Sequence, residues 1–320
     1  MRSLSVILSL SFYLSTLFCH AQWEWQNPLP QGNHLKDVHF VDSLKGWAAG
    51  YYGTILYTED GGESWEIKNS GVTNELESIH MVNSLEGWAV GWNGTIIHTS
   101  DGGNTWTLQD CGFDFTIHSV FFTDNNKGWV VGGKILHTTD GGLTWEEQSC
   151  PVSDRLLLSV FFINNTTGWI SGDWGLMLKT TNAGYTWIQQ NTGYNDHYVN
   201  SVFFIDVNKG WAAANSLVLK TDDGGDHWTK VYTDQSLWQS VYFPDEFNGY
   251  VAGSYGMIAK TTDGGDTWTT QESNTDVTLY EVFFSGYDAG WIIGKGGKIL
   301  HFDHQAGNWE SQSTGEHFYI

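Results

Sequence analysis

Gly87-Trp-Ala-Val-Gly-Trp-Asn-Gly-Thr-Ile-Ile-His-Thr-Ser-Asp-Gly-Gly-Asn-Thr-Trp106 is the stretch whose reading decides the fold. Gly87 to Val90 is a short apolar run, and Gly91-Trp-Asn-Gly94 is a tight turn. Thr95 to Thr99 alternates, and Asp101-Gly-Gly103 turns again before a strand that opens on Trp106. Short apolar runs separated by glycine corners are β-hairpins. Outward from this stretch, Gly-Trp or Gly-Tyr recurs at Gly46, Gly87, Gly128, Gly168, Gly210, Gly249 and Gly290, with spacings of 41, 41, 40, 42, 39 and 41 residues. Seven repeats with a period near 40 and no 3.6-residue apolar pattern predict radial repetition of small antiparallel sheets. The fold class expected is all-β, a seven-bladed β-propeller of four-stranded antiparallel blades.

Each repeat divides into strands a to d. Strand a is the run Val38-His-Phe40, Ile79-His-Met81, Val120-Phe-Phe122, Val160-Phe-Phe162, Val202-Phe-Phe204, Val241-Tyr-Phe243 and Val282-Phe-Phe284, apolar at nearly every position as in a strand buried on both faces. Strand b begins at each Gly-Trp, and strand c is the Gly53-to-Tyr57 type of run. Strand d starts at Trp65, Trp106, Trp145, Trp187, Trp228, Trp268 and, in a divergent copy, Trp309. Two segments compete to complete the ring. Trp25 lies 22 residues before Trp47, within the 22 to 24 that separate each strand-d Trp from the next strand-b aromatic, and Trp309-Glu-Ser-Gln could fill the same slot. The N-terminal segment is the expected closure, because a strand from the far end of the chain removes both free edges at once.

Residues 1–21 carry one Arg, an apolar run from Leu4 to Phe18 and the ending Cys19-His-Ala21, the pattern of a signal peptide cleaved after Ala21. A single propeller domain, 22–320, would follow and be secreted, periplasmic or held at the cell surface. No later apolar run is long enough for a membrane span. The net charge of −22 becomes −23 without Arg2, which argues against nucleic acid as a partner. Cys111 and Cys150 each lie five residues after a strand-d Trp, hence in equivalent places of adjacent units, and are expected as free thiols. A monomer is expected.

Thr58-Glu-Asp-Gly-Gly-Glu-Ser-Trp65, Thr99-Ser-Asp-Gly-Gly-Asn-Thr-Trp106, Thr138-Thr-Asp-Gly-Gly-Leu-Thr-Trp145 and Thr261-Thr-Asp-Gly-Gly-Asp-Thr-Trp268 resemble the Asp-box of neuraminidase-type repeats. Asn182-Ala-Gly and Asp223-Gly-Gly are variants, and Asp303 to Trp309 carries one extra residue. A carboxylate that accepts turn N–H bonds, followed by glycines free to take positive φ, is a structural corner. Together with Gly-Trp-Ala-Val-Gly-x-x-Gly-Thr-Ile, residues 23 to 312 resemble the photosystem II stability and assembly factor family. That resemblance implies a seven-bladed propeller acting as a non-enzymatic assembly partner. The photosynthetic members engage their client through an Arg-rich patch, whereas Arg155 is the only Arg here beyond Arg2.

Function divides into two readings. Sialidases hold a substrate carboxylate with an Arg cluster, which one Arg cannot make. A glycosidase would need two carboxylates flanking a sugar, and the best pair is Asp37 with Glu281. Both replace the Ser that precedes strand a in the other repeats (Ser78, Ser119, Ser159, Ser201, Ser240). The ordinary reading of this pair is solvated rim acids. His39 and His80, or His98, His137 and His301, occupy equivalent places of different repeats, which should keep them apart, so no metal and no cofactor are expected. The binding reading rests on the b–c turns, where Tyr51, Tyr52, Trp92, Trp174 and Tyr255 stand at corners that small polar residues usually fill. Trp238, in a d–a loop, joins them on one face, with the Asp-boxes and a–b turns on the other. The expectation is a non-catalytic propeller binding a protein or glycan, with an Asp-box glycoside hydrolase as the alternative.

Overall fold

The structure, a computed structural model, describes residues 32–304 and 306–312. The expected signal peptide and the Trp25 segment lie outside the described residues. Strands run a to d in sequence order within each sheet, all antiparallel, as in Leu35–Phe40, Gly46–Gly50, Thr54–Thr58 and Glu66–Asn69. The molecule is an all-β propeller of four-stranded antiparallel blades.

Seven separate sheets are not what hydrogen bonding gives among the described residues. Five sheets have four strands and one has six. The fifth and sixth repeats join because one continuous strand, Thr229–Tyr242, serves as strand d of one and strand a of the next. Elsewhere the d–a connection breaks at a residue of positive φ, such as Gly71, Gly112, Asp154, Gly193 or Asn274. Between residues 229 and 242 no residue takes positive φ, so the strand runs on without a break.

The Gly-Trp signature has a packing cause. The strand-b Trp of one repeat lies flat on the strand-a Phe of the next: Trp88 on Phe122 at 3.5 Å, Trp169 on Phe204 at 3.5 Å and Trp211 on Phe243 at 3.5 Å. The same Phe rings meet the Asp-box Trp of their own repeat edge-on, as Phe122 meets Trp145 at 6.0 Å. Each ring also covers the glycine of its own Gly-Trp, where a Cβ at Gly128 would fall 2.5 Å from Phe122. The indole N–H then donates to an Asp-box carbonyl of the next repeat, Trp47 to Gly102 at 3.0 Å and Trp88 to Gly141 at 3.2 Å.

Among the described residues the ring closes by this contact. Trp291 stacks on Phe40 at 3.5 Å, and its Nε1 donates to Gly61 O at 3.0 Å. The strand-d slot of the last sheet is filled by Asn308–Ser311, paired with Ile299–Asp303 in a local hairpin. The expectation of N-terminal closure is therefore corrected for that slot. A hairpin closed over four intervening residues needs far less loop entropy than a strand from the other end of the chain. Gly307, at φ 70°, absorbs the extra residue of the divergent box.

Candidate functional site

The two faces sort as the strand order requires. Tyr51 N donates to His34 O and Trp92 N to Glu75 O, joining b–c turns to d–a loops. Gly61 N donates to Leu44 O and Gly102 N to Leu85 O, joining Asp-box corners to a–b turns on the opposite side.

On the first face, Tyr52, Trp174 and Tyr255 are 69%, 59% and 76% exposed. All three take positive φ, at 58°, 53° and 58°, where the seventh repeat has Gly296. A bulky residue held in that region signals a local constraint. Arg155 lies over the Trp174 ring at 5.7 Å. Trp92 is tethered: its Nε1 donates to Glu77 Oε1 at 2.8 Å, Glu77 pairs with Lys36 at 3.1 Å, and Lys36 lies 4.4 Å from the centre of the Tyr280 ring. Tyr51 is half-buried against His34, with ring centres 4.9 Å apart. Trp238 is corrected. It is wholly buried, packed with Val218 and Val241, while Leu237 beside it is exposed. The sequence held the signal, since Trp238 is the counterpart of buried Leu35, Leu76 and Leu279 at the start of strand a.

Every strand a shifts register against strand b just before the Ser position, as between Leu35 and Asp37 or Leu279 and Glu281. Such bulges change the direction of neighbouring side chains. The Ser residues form an inter-repeat chain at the axis: Val120 N donates to Ser78 Oγ at 3.3 Å, Val160 N to Ser119 Oγ at 3.2 Å and Val282 N to Ser240 Oγ at 3.3 Å. Asp37 enters this chain by accepting from Ser78 Oγ at 2.7 Å and Ile79 N at 2.8 Å. Glu281 accepts from Ser240 Oγ at 2.6 Å. The pair are not solvated rim acids. Both line an axial cavity of about 310 Å³, and burial pushes Asp37 up to about 6 and Glu281 well above the usual carboxylate range, Asp37 adding to the latter.

Two residues further along strand a, a closed ring of aromatic side chains crosses the same channel. His39, His80, Phe121, Phe161, Phe203, Tyr242 and Phe283 touch in succession, with centres 4.6 to 5.4 Å apart. Sequence reasoning read these positions as buried strand, and weighed only His39 and His80 further, as metal ligands. The expectation that equivalent histidines stand apart fails for His39 and His80, whose rings are 4.6 Å apart, because strands a converge at the axis. Burial lowers His39 to about 4, and burial with the neighbouring His39 lowers His80 well below the usual imidazole range, so both are neutral near pH 7. His98, His137 and His301 lie on separate strands c against Trp88, Trp129 and Trp291. No group of three or more His, Cys, Asp or Glu among the described residues could hold a metal ion.

The Asp-box carboxylates are engaged in their own turns. Asp101 accepts from Thr99 Oγ1, Thr105 N and Thr105 Oγ1 at 2.8 to 2.9 Å, and these bonds hold its pKa below the usual value. Asp140 and Asp263 repeat the set. Cys111 and Cys150 are free thiols, with Cys111 buried against the Gly94 and Phe113 carbonyls.

The sequence model of the family described as Photosynthesis system II assembly factor YCF48 matches residues 17–110, 107–194, 156–240 and 231–317. The chain belongs to the YCF48 family. The structure of YCF48 bound to D1 peptide is similar, with a TM-score of 0.73, 19% identity, and 87% of this chain and 95% of that one covered. YCF48 from Cyanidioschyzon merolae gives a TM-score of 0.72 at 21% identity, covering 87% and 98%. A GH74 xyloglucanase from Xanthomonas campestris also shares the fold, with a TM-score of 0.73 at 10% identity, but this chain covers only 55% of that enzyme. No curated protein sequence matches the chain. Membership in the YCF48 family accounts for the repeat and its corners.

Proposed function

We propose that this chain is an exported, non-catalytic propeller of seven blades that docks a protein partner on the face built from the b–c turns. The carrying observation is that Tyr52, Trp174 and Tyr255 present exposed rings from three equivalent corners, each in a backbone conformation that glycine or asparagine would adopt more easily. Exposed aromatic residues on a rigid scaffold are effective anchors, since they lose little entropy when covered. A related propeller binds a D1 peptide, which supports a polypeptide partner. The absence of any Arg but Arg155 among the described residues argues for a different client from that of an Arg-patch protein. A blade count of seven is supported by the seven apolar clusters between successive repeats and by the change of pairing partner along Thr229–Tyr242. An apolar leader before Gln22 supports export.

The hydrolase alternative is weaker. Its two acids sit inside an axial cavity and are engaged by Ser78, Ile79 and Ser240, whereas a glycosidase needs its two carboxyls free on opposite sides of an accessible sugar. The test is affinity capture from the native envelope fraction beside a glycan array, with wild type and a Tyr52→Ser/Trp174→Ser/Tyr255→Ser variant. A polypeptide bound by wild type and released from the folded variant supports the reading, with about 1 to 3 kcal/mol lost per ring. A glycan as sole ligand, or equal capture by both proteins, would refute it.

A further inference from the structure

The axial cavity joins three features that packing alone does not explain. Two carboxyl groups replace serine in the two repeats that meet at ring closure, so they stand side by side on the same wall. The aromatic ring forms the floor beneath them. His39 and His80 also line this cavity, and their Nδ1 atoms are buried without a hydrogen-bond partner among the described residues. An unpaired buried ring nitrogen costs free energy unless another group completes it.

We propose that this cavity receives a protonated primary amine, with its ammonium group held by Asp37 and Glu281 above the aromatic floor. An ammonium has three N–H donors and no acceptor, and two ionised carboxylates offer only acceptors. Ring faces below add attraction for a cation that has left water. A volume of about 310 Å³ lies at the small end of ligand sites, which suits a slender head group rather than a planar or branched one. A metal ion fits less well, because no group of three or more His, Cys, Asp or Glu among the described residues could hold one. An anion would meet two acids and no buried cation, as Lys36 at the mouth is committed to Glu77.

The charged and titratable neighbours set the pH behaviour. Facing the pair are His39, His80 and Tyr242, the last pushed up to about 12 by burial and Glu281, and nearer the mouth His118, lowered by burial. The imidazoles and the phenol are uncharged near pH 7. Binding a cation therefore draws the pair into its ionised form, and the complex releases a proton. The amine could be a small free molecule or a lysine presented by the protein partner proposed above; only the second source rests on that reading.

The test is titration calorimetry near pH 7 in two buffers of different ionisation heat. The probes are butylamine, a lysine-containing peptide and the same peptide acetylated on the lysine. The comparison protein is Asp37→Ser/Glu281→Ser, which restores the residue of the other repeats and so should fold. Expected are saturable binding by wild type with proton release, and weakening by at least about tenfold in the variant, whose melting temperature should be no lower than that of wild type. Butylamine alone binding assigns the cavity to a free amine. Peptide binding that acetylation abolishes assigns it to a presented lysine. No binding of butylamine or the unmodified peptide by wild type, or equal binding by the variant, overturns the proposal. Capture through Tyr52, Trp174 and Tyr255 is read separately and can survive that failure.

Discussion

Serine at positions 37 and 281 should make the protein more stable, by an amount that grows with pH. Asp37 is raised from 3.8 to about 6 chiefly by burial, against the lowering effect of its Ser78 and Ile79 hydrogen bonds. A carboxyl whose pKa is higher in the folded than in the unfolded chain holds its proton more tightly when folded. Its stabilising share is complete below the unfolded value of 3.8 and is lost as the pH rises through 6. The difference of about 2 pKa units corresponds to about 3 kcal/mol, an upper figure because water that enters the cavity screens the charge. Glu281 is raised by burial and by Asp37, so it acts in the same direction. His39 and His80 oppose the trend, since burial lowers both and their stabilising share is lost on acidification. They remain in both proteins and cancel in the comparison. Little cavity cost is expected, because the removed atoms face space already open to water. Urea unfolding followed by tryptophan fluorescence, from pH 4.5 to 8, measures the difference. The variant should gain on wild type from about pH 4 to beyond 6 and lead it at pH 8 by about 3 kcal/mol from Asp37, with Glu281 adding in the same direction. A difference independent of pH, or a wild type that gains with rising pH, would refute the buried-acid reasoning.

Three further expectations concern the scaffold and its face. Trp291→Ala should cost about 3 to 5 kcal/mol in urea unfolding, and Trp291→Phe about 1, since the second keeps most of the stacking on Phe40 but loses the bond to Gly61. An alanine variant as stable as wild type would place ring closure elsewhere. Gly128→Ala should lose about 1 to 3 kcal/mol, because the new Cβ meets the Phe122 ring at 2.5 Å, and a smaller partner at 122 should restore part of it. Tyr255→Asn should gain up to about 1 kcal/mol by relaxing the backbone at φ 58°, while weakening partner capture; a loss of stability would show that the ring packs.

The repeat itself was legible because each of its marks answers a local need. Gly precedes Trp in strand b because a Phe ring covers that Cα, and Asp-Gly-Gly follows Thr because two positive φ angles and a carboxylate build the corner. Such demands recur every 40 or so residues in the sequence. The corner positions of Tyr52, Trp174 and Tyr255 were legible for the same reason, since turn chemistry is local. Trp238 was misplaced because one residue of strand register separates it from exposed Leu237, and a slip of one exchanges inside for outside. What the sequence could not show is what converges at the axis. Strand a is apolar throughout, so alternation no longer tells which residue faces a neighbour and which faces the channel. Only radial assembly sets Asp37 beside Glu281 and His39 against His80, residues that are 244 and 41 positions apart in the chain. The C-terminal hairpin and the unbroken Thr229–Tyr242 strand were likewise decided in three dimensions, by which edges were free to pair and by the lack of a kink to end pairing.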